Sequence, residues 1–299
     1  MEVILAAPRG FCAGVVRAVE VVELCLKRFG PPVYVKHQIV HNPYVVASLE
    51  KKGAITVEQV EEIPPDSVVV FSAHGSPPED FEKGQALRLN IIDATCPLVT
   101  RVHNEAKKYH KDGRQVLLVG HRGHQEVRGT MGQTPMHLVD EHEGLDLPDW
   151  AGETPVVVLT QTTLSVDDTR QAVEEIKQAF PNAITREDIC YATTNRQEAV
   201  KELARKVDVV LVIGSQNSSN CNQLREVARA QGVPAYLING PEDLDAGLLD
   251  GATRVGITSG ASTPEVLVDE VITALRPENV TTLTGIEENV AFVLPKELR

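Results

Sequence analysis

Three cysteines, Cys12, Cys96 and Cys190, stand at matching places in a pattern that recurs along the chain. Each follows an apolar, strand-like stretch: "VILAAPRGFC", "NIIDATC" and "AITREDIC". Each precedes a helix-like one: "AGVVRAVEVVELCLKRFG", "PLVTRVHNEAKKYHKDG" and "TTNRQEAVKELARKV". Pro97 suits a first helical position, and Thr194 to Gln197 has capping-box spacing. A strand with a polar end comes next, in "VYVKHQIVHN", "QVLLVGHRGH" and "VDVVLVIGSQNSSN". His41 lies 29 residues after Cys12, His124 lies 28 after Cys96, and Ser219 lies 29 after Cys190. A later strand repeats the match, in "SVVVFSAHGS", "PVVVLTQTTLS" and "TRVGITSGAST". There His74 is 62 residues past Cys12, Thr160 is 64 past Cys96 and Ser262 is 72 past Cys190.

A repeat of this kind limits the fold severely, because each copy must build the same supersecondary unit. Short β-rich apolar runs alternating with helices predict parallel sheets covered by helices on both faces. The expected class is therefore α/β, with three pseudo-equivalent lobes of mainly parallel sheets in a trefoil. The expected lobes are residues 1–96, 97–190 and 191–280, with a C-terminal strand and tail over 281–299. Cys96 and Cys190 fall at the junctions. The polar loops then sit at the carboxyl ends of the strands, where such sheets bind ligands. A pseudo-threefold axis would bring the three cysteines to the centre.

Five cysteines, an odd and scattered set, do not read as a disulfide framework. Cys25, inside the helical pattern "VEVVELCLKRF", reads as a small core residue. Three converging thiolates read as a metal site. Zinc and an iron–sulfur cluster both remain open on spacing. Single, widely separated cysteines differ from the close pairs of zinc ribbons, which favours iron. With only three thiolates, a cluster would keep one iron open.

The collected loops offer His41, His74, His124, Thr160, Ser218, Ser219, Asn220 and Ser262, a hydrogen-bonding set suited to a diphosphate. No phosphate-loop or dinucleotide fingerprint is present. Glu126, two residues from His124, is the one carboxylate in the set and the candidate proton donor. Negative charge nearby is expected to keep its proton on. The net charge of −13 speaks against a nucleic-acid binder. No apolar run is long enough to span a membrane. The opening "MEVILAAPRG" lacks the pattern of a secretory leader. The expected location is the cytoplasm.

The stretches "PRGFCAGVVRA", "VHNPYVV", "FSAHGS", "DATCPLVT", "GHRGHQEVRGTMGQ", "TQTTLSVDDT", "DICYATTNRQEAV", "GSQNSSN" and "SGASTPE" together resemble the 4-hydroxy-3-methylbut-2-enyl diphosphate (HMBPP) reductase family. "VPAYLI" matches in weaker form. The resemblance runs over essentially the whole chain. It implies a three-lobed fold around one 4Fe–4S cluster held by Cys12, Cys96 and Cys190, with the fourth iron open to substrate. It implies that His41, His74, His124, Ser218, Ser219, Asn220 and Ser262 bind the diphosphate. Thr160 would lie beside the substrate hydroxyl, and Glu126 would be the proton source.

The implied reaction is a two-electron reductive dehydration yielding isopentenyl and dimethylallyl diphosphate, the last step of the non-mevalonate route. Electrons would come from a ferredoxin- or flavodoxin-type donor. The family pattern expects proline more often at Gln125, which predicts a looser Glu126 loop. It expects no thiol at Cys221, read here as a bystander. The residues alone also admit a zinc-dependent hydrolase of a phosphorylated metabolite, or an iron–sulfur sensor, which would leave the polar loops unexplained. Monomer and dimer are both compatible with the sequence.

Overall fold

A computed structural model describes residues 1–140 and 144–299. Its chain divides into two compact units. One comprises Met1–Val15, His41–Val45 and Cys190–Ala291; the other comprises Val16–Val40, Val46–Ile189 and Phe292–Arg299.

From the N-terminus run β1 (Glu2–Leu5), α1 (Ala13–Phe29), β2 (Val33–Lys36), α2 (Pro43–Lys51), β3 (Ala54–Val57), β4 (Val68–Phe71), α3 (Pro78–Ala86) and β5 (Asn90–Asp93). The second repeat supplies α4 (Pro97–Lys111), β6 (Gln115–Val119), α5 (Gln125–Met131), β7 (His137–Val139), β8 (Val156–Thr160), α6 (Val166–Ala179) and β9 (Ile184–Thr185). The third supplies α7 (Tyr191–Ala204), β10 (Val209–Ile213), α8 (Ser219–Ala230), β11 (Ala235–Ile238), β12 (Arg254–Ser259), α9 (Glu265–Leu275) and β13 (Asn279–Thr282).

These strands form three sheets, ordered β3-β2-β4-β5, β7-β6-β8-β9 and β11-β10-β12-β1-β13. Every pairing among the described residues is parallel. Parallel sheets need cover on both faces, and the core shows why these sequences supply it. In β10, Val210 and Val212 pack with Val200 and Leu203 of α7 and Leu224 of α8. The alternate residues Val209, Leu211 and Ile213 pack with Leu267, Val268 and Val271 of α9. The period of two sends one continuous apolar run into two separate cores. In β6, likewise, Val116 and Leu118 face Val102 and Ala106 of α4, while Leu117 and Val119 face Ala172 and Ile176 of α6.

The expected lobe boundaries differ from the sheets at one strand. β1, read with the first lobe by its place in the chain, pairs with β12 and β13 instead. There it takes the place that β5 and β9 hold in the other two sheets, beside the third strand in the order. Each of β5, β9 and β1 is the strand that precedes a cysteine. The repeat is thus cyclic: the strand leading to each cysteine completes the sheet of the preceding repeat, and the chain start completes the last. The expected C-terminal strand falls at Asn279–Thr282, so most of 281–299 is tail.

Candidate active site

In each sheet the chain leaves the first central strand outward and returns on its other side, between β2 and β4, β6 and β8, and β10 and β12. Loops diverge at such a switch point and leave a crevice at the carboxyl edge. The expected polar residues follow the central strands in the chain. His74 follows β4, His124 follows β6, and Thr160 ends β8. Ser218 to Asn220 follow β10, Ser262 follows β12, and His41 follows β2. Cys12, Cys190, His41, Ser218, Ser219, Asn220 and Ser262 belong to the first unit; Cys96, His74, His124, Glu126 and Thr160 belong to the second.

Each repeat cysteine immediately precedes a helix. Cys96 caps α4, with Pro97 at the first helical position. Cys190 caps α7, its Sγ accepting the Thr193 N–H at 3.4 Å. The thiol thus starts the helix itself, and Thr194, read as a cap, lies inside it. The Cys12 N–H donates to the Ala261 carbonyl at 3.1 Å, and the next residue, Ala13, donates to the Tyr191 hydroxyl at 3.2 Å. That contact ties the backbone after Cys12 to the residue after Cys190. Of the glycines near Cys12, Gly10 is the one that conformation requires, at φ +71°; Gly14 lies within α1.

The five thiols separate by burial. Cys12, Cys96 and Cys190 are partly exposed, and Cys25 and Cys221 are buried. Burial pushes the Cys25 thiol up to about 11 and also raises that of Cys221. Cys221 Sγ fills the space left by two glycines: a Cβ on Gly214 or Gly260 would come within 2.3 or 2.2 Å of it. Helix starts favour thiolate, and soft thiolates suit iron–sulfur groups. The three accessible cysteines therefore fit such a group and the two buried ones do not.

Glu126 lies in the first turn of α5 and is 4% exposed. Its carboxyl accepts the Thr162 N–H at 2.6 Å and the Thr162 hydroxyl at 2.9 Å. Burial, more than the charge of Asp188, pushes it up to about 7 despite those two hydrogen bonds. Desolvation is the larger cause, and the Asp188 carboxylate adds to it in the direction expected of nearby negative charge. The loop is well anchored: Gln125 takes the first helical position, which suits proline equally, so the departure from the family pattern leaves the helix intact. His124 caps the same helix, its Nδ1 accepting the Glu126 N–H at 3.2 Å. In the neutral ring the proton then sits on Nε2. His74 lies edge-on to His124, with ring centroids 6.2 Å apart.

Thr160 donates its backbone N–H to Asp188 at 3.3 Å, while its Oγ1 is buried without a partner among the described residues. Asn220, 4% exposed, has both amide atoms in that condition. Buried polar groups left unpaired are costly, and these atoms stand at the carboxyl ends of β8 and β10. Ser218 caps α8, accepting the Cys221 N–H at 3.4 Å, and Ser262 donates to the His41 carbonyl at 3.1 Å. Sequence reasoning missed Thr162, Asp188 and His37. The last stacks edge-on to His74 at 5.7 Å. Thr162 stands in the quoted "TQTTLS", and its exclusively local reading hid the bond to Glu126.

Parallel sheets whose carboxyl-edge loops carry helix-heading thiols and a buried, protonatable carboxyl define an α/β enzyme equipped for a metal cofactor. The chain belongs to the LytB protein family, the HMBPP reductases, whose family model matches residues 3–276. It is 54% identical over 304 residues to 4-hydroxy-3-methylbut-2-enyl diphosphate reductase 1 of Rhodopseudomonas palustris, covering 98% of both chains. Against the reductase of Pseudomonas putida it is 50% identical over 310 residues, covering 100% of this chain and 98% of the other. The solved E-1-hydroxy-2-methyl-but-2-enyl-4-diphosphate reductase from Plasmodium falciparum superposes with a TM-score of 0.96 at 39% identity, over 100% of this chain and 96% of that one. A second solved structure, of an (E)-4-hydroxy-3-methyl-but-2-enyl diphosphate reductase, gives 0.65 at 34% identity, over 92% and 99%. Family membership implies an iron–sulfur cofactor, a diphosphate substrate and a redox partner. Among the described residues, no helix is long and apolar enough to cross a membrane.

Proposed function

We propose that the chain reduces 4-hydroxy-3-methylbut-2-enyl diphosphate, with two electrons and two protons, to isopentenyl or dimethylallyl diphosphate and water. The observation that carries this reading is Glu126, a buried carboxyl still protonated near neutrality, in a chain that matches such reductases over nearly its full length. A hydroxyl leaves poorly unless it is protonated as it departs.

A 4Fe–4S cluster held by Cys12, Cys96 and Cys190 would supply single electrons and an open iron acting as a Lewis acid. The chain's own residues do the rest. His41, His74, His124, Ser218, Ser219, Asn220 and Ser262 hold the diphosphate, His124 through its Nε2–H. That binding fixes the reacting end and excludes water from it. Glu126 gives its proton to the leaving hydroxyl, and Thr160, through its unpaired Oγ1, relays it. Thr162 keeps the carboxyl oriented in both protonation states. The donor would be a small one-electron carrier of ferredoxin or flavodoxin type.

Anaerobic purification with iron and sulfide counts, followed by spectra with and without HMBPP, tests the reading. Roughly four irons per chain, a spectrum that shifts on adding HMBPP, and both diphosphate products on supplying electrons are expected. Zinc instead of iron, or no metal in anaerobic protein, would overturn it and return the zinc hydrolase to consideration.

A further inference from the structure

Each cysteine-headed helix carries an arginine in its second turn: Arg17, Arg101 and Arg196, respectively five, five and six residues after Cys12, Cys96 and Cys190. Each reaches the backbone that enters the next cysteine. Arg17 Nη1 donates to the Ala94 and Thr95 carbonyls, both at 3.1 Å, directly before Cys96. Arg101 Nη2 donates to the Glu187 carbonyl at 3.3 Å and to the Asp188 carboxylate at 3.4 Å, just before Cys190. Arg196 donates through Nε and Nη2 to the Gly10 carbonyl at 3.2 and 2.8 Å, two residues before Cys12. The order is cyclic, like the sheets: the helix of the first cysteine holds the loop of the second, the second holds the third, and the third holds the first.

Two of these guanidiniums lie out of water, Arg196 at 0% and Arg17 at 8% exposure. Burying a charge is costly unless its donors find partners. Arg17 uses three of its five N–H donors, the third bond running from Nε to the Val293 carbonyl, 2.8 Å away. Arg196 completes its set at the Ala192 carbonyl and the Glu288 carboxylate. Such groups impose a geometry, and what they share is the loop ahead of a ligand cysteine.

The geometry points to Arg17, Arg101 and Arg196 as positioning residues, three clasps that fix the backbone ahead of each thiolate before any cluster is loaded. The inference rests on the reading of Cys12, Cys96 and Cys190 as ligands. The planar fork matters because it holds the Val293 carbonyl through Nε and the Ala94 and Thr95 carbonyls through Nη1 at the same time, a fixed spread of donors that a single lysine ammonium does not offer.

The test uses the full-length chain, wild type beside Arg101→Gln and Arg17→Lys, prepared anaerobically. Arg101 is the more exposed clasp, so its apo-protein is expected to melt within about 4 °C of wild type. Hydrogen exchange in that apo-protein should quicken at residues 187–190 and not at 94–96. Iron should leave the loaded Arg101→Gln protein in air about tenfold faster than wild type, the size of effect seen when an outer partner of a metal ligand is removed. Wild-type exchange and wild-type iron retention in Arg101→Gln would overturn the clasp, whether or not Arg17→Lys folds. A wild-type protein that binds no iron would sink the ligand reading and the clasp with it.

Discussion

Glu126 shows how one side chain is tuned by its surroundings. Its carboxyl is desolvated, and the two bonds from Thr162 offset only part of that cost. With the folded value raised to about 7 from 4.5, the native state keeps a proton that the unfolded chain has lost. Its contribution to stability is therefore fully present at low pH and falls by about 1.4 kcal/mol per pH unit between those values, levelling above about 7. Glu126→Gln, which mimics the protonated form, should lack this fall when melting curves are compared across pH. It should also lose about 10²- to 10⁴-fold in kcat. A Gln variant with wild-type turnover would remove Glu126 from the proton path. Thiol chemistry offers a second check at this scale. In metal-free, folded protein, iodoacetamide should label Cys12, Cys96 and Cys190 and spare Cys25 and Cys221, because the first three are reachable and burial both hides the other two and pushes their thiols up. Mass spectrometry of the peptides reads the outcome, and rapid labelling of Cys221 would contradict its burial.

Helix α5 explains why its motif reads as it does. Gly129 and Gly132 lie three apart, on one face. A Cβ on Gly129 would come within 2.7 Å of the Gly75 carbonyl oxygen, and one on Gly132 within 2.3 Å of the Pro77 side chain. Just past the helix, Gln133 donates to the Ser76 carbonyl at 3.2 Å. The glycines let the helix that carries Glu126 sit directly on the loop that carries His74. In an exposed helix, alanine for glycine gains about 1 kcal/mol. At Gly129 the obstacle is backbone, so overpacking of about 1 to 3 kcal/mol wins. Gly129→Ala should lower the melting temperature and reduce kcat more than it weakens substrate binding. A stabilised Gly129→Ala protein would show that α5 is free to move off the loop.

Charge acts at the scale of the whole molecule. A net −13 repels anionic electron donors and attracts cationic ones, and salt screens both effects. Reduction by an acidic one-electron protein should therefore speed up with ionic strength, and reduction by a cationic viologen should slow, each by up to about tenfold. Stopped-flow traces at several salt concentrations separate the cases. An acidic protein donor that slows with salt would reveal a local basic docking patch that outweighs the overall charge.

The period of the repeat, the parallel α/β class and the place of each cysteine ahead of a helix were legible in the residues, because each is a property of a short window repeated at fixed spacing; Glu126 stood out instead as the one carboxylate in the polar set. Pro97 at the head of α4 belongs to the same category. What the windows could not hold was pairing between distant parts. β1 sits next to Cys12 in the chain, yet its partners are residues 254–257 and 279–282. Thr162 reaches Glu126 across 36 residues, and Arg196 reaches Gly10 across 186. Burial, which lifts the Glu126 proton affinity and separates the two inert thiols from the three accessible ones, depends on which layers close over a side chain. Local propensity and periodicity set the elements; desolvation and long-range hydrogen bonds exist only once those elements have packed.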